Sequence, residues 1–316
     1  MTIFLWIIVF IAGIAVLVKA TDHFVEAAEK IGLHFKIEPF IIGVFILGLG
    51  TSLPELVVSL IAVFQDTTGV IIGNVLGSNI TNVFLVLGIS AIIVKESTIR
   101  YNFLAFDLPL FITSAFFLTI AIWNGSFGLF EGIFFLAIFV VYIIYSITSH
   151  KKNKPIIPKE VKKIAREKVN VKTILKIIIS PIFIYLGAKY TVEAVINLSA
   201  NLDIGAEIIA ASAIALGTSL PELSVSFITI RKGKIDEMLG NIIGSNILNI
   251  LFVMGVPAII KTIIIPQSML SFALPFMLVA TIVFFIVIYD KKITRGEGIV
   301  LLMFYAFYIL KLYDLI

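Results

Sequence analysis

Apolar residues in this 316-residue chain come in long unbroken runs, not in alternation. A helix needs roughly 20 such residues to cross a bilayer. About ten runs approach or exceed that length: 3–20, 39–64, 70–94, 102–122, 128–148, 173–196, 206–230, 238–260, 268–289 and 297–313. Strands of a membrane barrel alternate apolar and polar positions, so the pattern predicts an all-α integral membrane fold. One polar stretch, 150–172, leaves five segments on either side. It is rich in lysine, and Pro155 and Pro158 break its first part. Residues 159–168 fit a short surface helix, and the stretch as a whole reads as a solvated connector. The expected organisation is a five-helix unit over 1–149, a basic linker over 150–172 and a second five-helix unit over 173–316.

The two units share sequence. Gly50-Thr51-Ser52-Leu53-Pro54-Glu55-Leu56 returns as Gly217-Thr218-Ser219-Leu220-Pro221-Glu222-Leu223. Each copy is followed at the same distance by Gly-Asn-x-x-Gly-Ser-Asn-Ile-x-Asn, at Gly73 to Asn82 and Gly240 to Asn249. The offset is 167 residues throughout, as between Thr51 and Thr218. Five segments per unit is an odd number, so the second unit enters the membrane from the opposite side. The chain therefore reads as two inverted repeats, with the second and seventh helices broken at their prolines.

Basic residues orient the predicted helices. With the 150–172 loop cytoplasmic, the loops on its side carry Lys30 and Lys36, Lys95 and Arg100, Arg231, Lys232 and Lys234, and Lys291, Lys292 and Arg295. The opposite loops, 65–69, 123–127, 197–205 and 261–267, hold one lysine, Lys261. Both termini are expected outside a cell membrane crossed many times. The first run has no basic residue before it and no small-residue cleavage site at its end near Lys19, so a cleaved signal peptide is not expected.

A carboxylate beside proline and glycine is costly in a lipid-facing helix. Two such carboxylates in register point to a shared site in mid-membrane. Proline removes a backbone donor and disturbs the preceding turn, so carbonyls near Gly50 and Gly217, and with them those around Gly48, Thr51, Ala215 and Thr218, are expected to turn toward another partner. A metal cation is a good one. The hydroxyls of Thr51, Ser52, Thr218 and Ser219 add oxygen ligands, and Glu55 and Glu222 supply charge one turn later. In the second motif the glycines suit close helix packing. Asn74, Asn79, Asn241 and Asn246 suit ties between helices. Ser78 and Asn82, and Ser245 and Asn249, are four apart, share a helix face and are the ligand candidates there. A set made only of oxygens favours hard cations such as Ca²⁺ or Na⁺. Asp107 and Glu131 have no repeat partner, and Glu26 and Glu193 lie near predicted helix ends; all four read as interfacial or packing residues.

Composition narrows the class. The chain is 60% hydrophobic and 14% charged, with no cysteine. Disulfides, thiolate metal sites and cysteine nucleophiles are excluded. The three histidines, His23, His34 and His150, show no metal-ligand spacing. An intramembrane hydrolase would need a nucleophile with a base, or a histidine-bearing metal site, and neither is apparent, so no enzymatic turnover is expected. The net charge of +4 follows from loop asymmetry and calls for no nucleic acid. The expected partner is the lipid bilayer, with no obligatory protein partner evident.

The paired Gly-Thr-Ser-Leu-Pro-Glu segments resemble the two alpha repeats of the cation/calcium exchanger superfamily, and the compact prokaryotic sodium/calcium exchanger branch in particular. The resemblance covers nearly the whole chain and implies ten helices, with the third and eighth completing the site. It implies Glu55 and Glu222 as shared Ca²⁺ and Na⁺ ligands and the carbonyls of Thr51 and Thr218 as further ligands. Ser52, Ser219, Ser78, Ser245 and the carbonyls of Gly48 and Ala215 fall at flanking Na⁺ sites. The first and sixth helices are implied to slide across the rest. Asn249 stands where several relatives, potassium-dependent exchangers and some archaeal ones among them, carry aspartate, which speaks against potassium coupling and leaves sodium and protons open as the counter-ion. The expected function is Ca²⁺/Na⁺ antiport with no cofactor, Ca²⁺ and Na⁺ being the transported ions. A Ca²⁺/H⁺ exchanger using the same glutamates is the alternative. A cation channel would also use broken helices, but would conduct without a counter-ion.

Overall fold

The hydrophobic runs become helices, and two of them break at Ser52 and Ser219, just before the repeated prolines. The computed structural model describes residues 3–35, 37, 41–94, 96–99, 103, 106–150, 170–198, 208 and 210–315. Most of the linker, including its expected helix, lies outside the described residues, as do Lys36, Lys95 and Arg100. The first pass is α1 (Ile3–His34). The second is a π-helical segment, Ile42–Leu47, running into α2 (Gly48–Thr51) and then α3 (Leu53–Phe64). The third joins α4 (Gly69–Thr81) to α5 (Leu87–Val94) through a π segment, Asn82–Val86. The fourth and fifth are α6 (Asp107–Ala121) and α7 (Leu129–His150).

The second unit repeats this order. It begins with α8 (Val171–Leu198). A π segment, Ala210–Ile214, then leads into α9 (Ala215–Thr218) and α10 (Leu220–Arg231). Next come α11 (Ile235–Leu248), a π segment at Asn249–Val253 and α12 (Gly255–Ile260). A last π segment, Met269–Ala273, opens α13 (Leu274–Tyr289), and α14 (Arg295–Leu312) ends the fold. Among the described residues, five continuous helices are long and apolar enough to cross a membrane, and seven if each bent pair is one span. The other three passes are α6, which is short, α8, which holds Pro181, and α14, which carries more charge. The result is an all-α integral membrane fold of ten passes in two inverted repeats.

The surface confirms the solvent. Phe130 is 84% exposed and Ile120 71%, which suits hydrocarbon and not water. The polar residues go inward: Glu55, Glu222, Asn74, Asn82, Asn241 and Asn249 are fully buried.

One boundary differs from the expectation. The first segment was predicted over 3–20, but α1 runs on to His34. Its second half is amphipathic. Leu17, Phe24, Val25 and Ala28 are buried in a cluster with Ile184 of α8 and Val225 of α10. The charged residues between them form ion pairs, Asp22 with Lys232 at 3.2 Å, Glu26 with Lys176 at 2.6 Å, and Glu29 with Lys234. Mean hydropathy falls along this half while the helix continues on its buried stripe.

Short strands tie the repeats together. β1 (Glu96–Thr98) pairs antiparallel with β4 (Lys292–Thr294), and β2 (Ser126–Phe127) with β3 (Ile263–Ile264). The 167-residue offset carries β1 onto β3 and β2 onto β4. The two ribbons are thus equivalents of one another at opposite ends of the bundle, each with one strand from each unit.

Each broken helix packs against the third pass of the other unit, and glycine permits the approach. A Cβ on Gly77 would lie 2.4 Å from the carbonyl oxygen of Ala211, and one on Gly244 2.7 Å from the Cα of Val44. Val44 and Ala211 are themselves repeat equivalents. The corresponding contacts at Gly48 begin at 3.4 Å, and the matching position in the second unit is already alanine, Ala215. Gly77→Ala and Gly244→Ala are each expected to destabilise the protein by about 1–3 kcal/mol, read as a lower unfolding temperature in detergent. Gly48→Ala should change that temperature little. Equal effects at all three positions would refute this packing.

Candidate ion site

Ser52 and Ser219 carry the break. Each sits between two helical stretches with non-helical dihedrals, φ −84°, ψ 4° and φ −82°, ψ 0°. A proline follows in the first turn of α3 and of α10, where its missing N–H costs no helical bond. The axes bend by 41° and 42°. Glu55 and Glu222 therefore fall in the first turns of new helices, where unpaired backbone N–H groups favour negative charge. The two carboxylates come from opposite repeats and are close enough to repel each other.

Third-pass side chains complete the site by crossing between units. Thr51 Oγ1 lies 3.4 Å from Ser245 Oγ, and Ser78 Oγ lies 3.3 Å from Thr218 Oγ1. Thr51 reaches Asn241 Oδ1 at 3.3 Å and Thr218 reaches Asn74 Oδ1 at 3.3 Å. Asn74 Nδ2 donates to the Glu55 carbonyl and Asn241 Nδ2 to the Glu222 carbonyl, both at 3.4 Å. Asn74 and Asn241 tie helices together, as their positions suggested. Asn79 donates to Met277 Sδ at 3.7 Å and accepts from Asn249 Nδ2 at 3.4 Å, whereas Asn246 donates within its own helix, to Ile242 O at 2.7 Å.

Many oxygens here have no partner. Both carboxylate oxygens of Glu55, Oε2 of Glu222, Ser219 Oγ, Asn249 Oδ1 and both polar atoms of the Asn82 side chain are buried without a hydrogen bond. Ser52 Oγ donates to Glu222 Oε1 at 3.4 Å. Leaving such groups unpaired costs about 1–3 kcal/mol each, more for a charge. Oxygens coordinating a cation at about 2.4 Å and at right angles stand about 3.4 Å apart, close to the spacing of these hydroxyls. Among the described residues, no group of three or more His, Cys, Asp or Glu could hold a metal. The arrangement is two carboxylates among neutral oxygens, which suits a hard cation.

The expected release of carbonyls near Gly48 and Ala215 is not observed. Gly48 O accepts from Ser52 N at 3.0 Å and from Thr51 Oγ1 at 3.3 Å. Ala215 O accepts from Ser219 N at 3.0 Å and from Thr218 Oγ1 at 3.3 Å. The bend falls at the serines, so the carbonyls of Gly48 and Ala215, one turn before, keep their helical bonds.

The pattern of repeats also hid a pair of residues. Ser59 and Ser226 lie one turn beyond the glutamates and 167 residues apart, fully buried with unpartnered hydroxyls. A helical serine commonly bonds the carbonyl four residues back. Here those carbonyls, of Glu55 and Glu222, accept from the two asparagines instead. Glu237, in the first turn of α11, is also buried with one free carboxylate oxygen. The other charges behave as packing or interfacial groups where they are described: Asp107 accepts from Tyr142 at 3.0 Å, Glu131 from the Gly128 N–H at 3.0 Å, and Glu26 pairs with Lys176. The side chain of Glu193 lies outside the described residues.

Residues 5–148 and 172–313 match the family described as sodium/calcium exchanger protein. The inner membrane protein YrbG of Escherichia coli (strain K12) is 30% identical over 298 residues, spanning 93% of this chain and 91% of that one. The sodium/calcium exchanger MaX1 of Methanosarcina acetivorans is 30% identical over 343 residues, spanning 97% and 98%. A solved structure of the sodium-calcium exchanger NCX_Mj, soaked with 2.5 mM Na⁺ and 0.1 mM Ca²⁺, superposes with a TM-score of 0.78 at 29% identity, over 96% of this chain and 97% of that one. With both repeats matched and two broken helices meeting at a buried pair of glutamates, this multi-pass membrane protein belongs to the sodium/calcium exchanger family.

Proposed function

We propose that the protein is an antiporter that exchanges Ca²⁺ for Na⁺ by alternating access, without enzymatic turnover and without need of K⁺. The observation that carries this reading is the buried pair Glu55 and Glu222, with three of its four carboxylate oxygens left without a described partner. One Ca²⁺ cancels both charges, and two or three Na⁺ leave the site neutral or singly positive. An empty site would keep two bare carboxylates in low dielectric, which opposes reorientation. Exchange follows from that penalty, where a channel would leak.

In this reading Glu55 and Glu222 bind both ions. The carbonyls of Thr51 and Thr218 add ligands. Ser52, Ser219, Ser78, Ser245, Asn82 and Asn249 complete the Ca²⁺ and flanking Na⁺ positions. Gly48 and Ala215 contribute carbonyl lone pairs once each threonine hydroxyl turns to its asparagine acceptor instead. Replacing Glu55 or Glu222 with glutamine should cut Ca²⁺ flux about 100-fold or more, because removing one member of a buried charge pairing costs about 3–5 kcal/mol. Side-chain volume is conserved, so the variants should elute as folded protein. Near-normal flux through Glu55→Gln would sink the assignment.

Asn249 bears on the driving ion. Its amide offers an oxygen but no charge, so the site holds two fixed negative charges and Ca²⁺ already balances them. An added K⁺ would leave an unbalanced charge, at a cost of roughly 4 kcal/mol for a pair about 4 Å apart at intermediate dielectric. Ca²⁺ uptake into sealed proteoliposomes should follow a Na⁺ gradient in K⁺-free buffer. Asn249→Asp should alter the dependence on monovalent ions more than Ca²⁺ binding. Flux that requires K⁺ contradicts this, and flux that follows pH and ignores Na⁺ replaces it with Ca²⁺/H⁺ exchange.

The one-sided distribution of lysine and arginine supports a cell-membrane orientation with both termini outside and the 150–172 connector between the units in the cytoplasm. In this cysteine-free chain, Lys159→Cys should react with impermeant thiol reagents from the cytoplasmic side alone, and Thr67→Cys from outside alone. Reaction of both from one side would overturn the topology.

A further inference from the structure

The last helix grips the second broken helix just before the ion site. The hydroxyl of Tyr308, a fully buried residue of α14, donates to the carbonyl of Ala211 at 2.9 Å. Ser212 Oγ lies 2.8 Å from Ile208 O and 2.5 Å from the Tyr313 hydroxyl. The single hydrogen of Ser212 goes to that carbonyl, so Tyr313 is the donor to Ser212. Ala211 and Ser212 belong to the π segment Ala210–Ile214, which runs directly into Ala215 and Thr218 of α9. Ala211 O is also the atom that a Cβ on Gly77 would meet at 2.4 Å. The segment is thus clamped between the third pass of the first unit and α14.

The first unit has no such clamp. At the 167-residue offset, Val44 and Phe45 stand for Ala211 and Ser212, and Val141 and Ser146 for Tyr308 and Tyr313. The Tyr142 ring of α7 stands 5.3 Å from Phe45, but its hydroxyl donates to Asp107 Oδ1 of α6. A ring contact tolerates sliding, whereas a hydrogen bond sets both distance and direction. The donor in the second unit is itself well held. Leu301, Tyr308 and Leu312 share the buried face of α14, and the rings of Phe272 and Phe276 pack on Tyr308 at 5.9 and 5.2 Å.

We infer that Tyr308 and Tyr313 are positioning residues for the second unit's half of the ion site. They hold the π segment, and through it α9, in the register that presents the Ala215 carbonyl to a flanking Na⁺. The inference rests on the reading of Ala215, Ser219 and Ser245 as a flanking Na⁺ position, and it makes that position the more rigid of the two. The Ala215 carbonyl lies one turn beyond Ala211. Glu222 lies beyond the break at Ser219, which uncouples it from a shift of α9. Loosening the clamp therefore weakens Na⁺ more than Ca²⁺, which both glutamates hold.

Transport by the full-length protein in sealed proteoliposomes tests this. Half-saturation for Na⁺ is read from Na⁺-driven Ca²⁺ uptake, and that for Ca²⁺ from Ca²⁺/Ca²⁺ exchange in Na⁺-free buffer. Tyr308→Phe keeps the ring and its packing. It should raise the Na⁺ value about 5-fold, as expected for one neutral hydrogen bond, and leave the Ca²⁺ value nearly unchanged. Tyr313→Phe and Ser212→Ala remove the same bond, so the double variant should shift Na⁺ no further than the larger single one. Tyr142→Phe, the hydroxyl deletion in the first unit, should leave the Na⁺ value unchanged. The inference alone is overturned if a Na⁺-driven wild type gives a Tyr308→Phe variant with no shift or with equal shifts for both ions, if the Tyr313 and Ser212 effects add, or if Tyr142→Phe matches Tyr308→Phe. A wild type whose Ca²⁺ flux ignores Na⁺ overturns the Na⁺ reading and this inference with it.

Discussion

Two carboxylates held in the middle of a bilayer without a fixed counter-charge are the constraint on which this structure depends. Glu55 and Glu222 are fully buried, and neither makes an ion pair with a described residue. Such groups are among the most expensive that can be placed in low dielectric. The surroundings reduce the cost in ways that leave the carboxylates open to an ion. The N-termini of two half-helices bring positive ends of backbone dipoles to the site. Hydroxyls and amides stand near without saturating the oxygens. A lysine or arginine in their place would neutralise the site and make an ion unnecessary.

The repeats build one site because each unit lacks half of it. The second pass of one unit rests on the third pass of the other, through Gly77 against Ala211 and Gly244 against Val44. The threonine–serine and threonine–asparagine contacts all cross between units. The symmetry is incomplete where it meets the carboxylates. Ser52 donates to Glu222, while its equivalent Ser219 has no partner beside Glu55. A site with nearly equivalent halves presents similar ligands toward either face, which suits a carrier that must load the same ions from both sides.

The α1–α8 pair stands apart from this core in its bonding. Beyond the apolar cluster that joins α1 to α8 and α10, its links to the α10–α11 corner are ion pairs, Asp22 with Lys232 and Glu29 with Lys234. Partly exposed ion pairs exchange partners at small cost, whereas a glycine-mediated helix contact has one register. The ten-pass fold thus combines a core of fixed geometry with a two-helix element held to it partly by replaceable bonds.

Much of this was legible in the residues alone. The helix count, the inverted relation of the halves and the meeting of Glu55 with Glu222 follow from apolar run length, an odd number of passes and a constant offset. Local chemistry sufficed for these, because a bilayer forces apolar runs into helices and proline ends a helical hydrogen-bond ladder. Other features needed the tertiary structure. Helix α1 continues past its apolar run because its buried stripe finds α8 and α10, which lie far away in sequence. The carbonyls of Gly48 and Ala215 keep their helical bonds because the bend is taken up at Ser52 and Ser219, a choice between adjacent residues that packing makes. The π segments at Asn82 and Asn249 have no composition of their own. Ser59 and Ser226 are left unsatisfied where Asn74 and Asn241, reaching from α4 and α11, bond the carbonyls four residues before them. Residue types and their spacing determined which groups could meet, and the packing of one repeat on the other decided which of their bonds were made and which were left open.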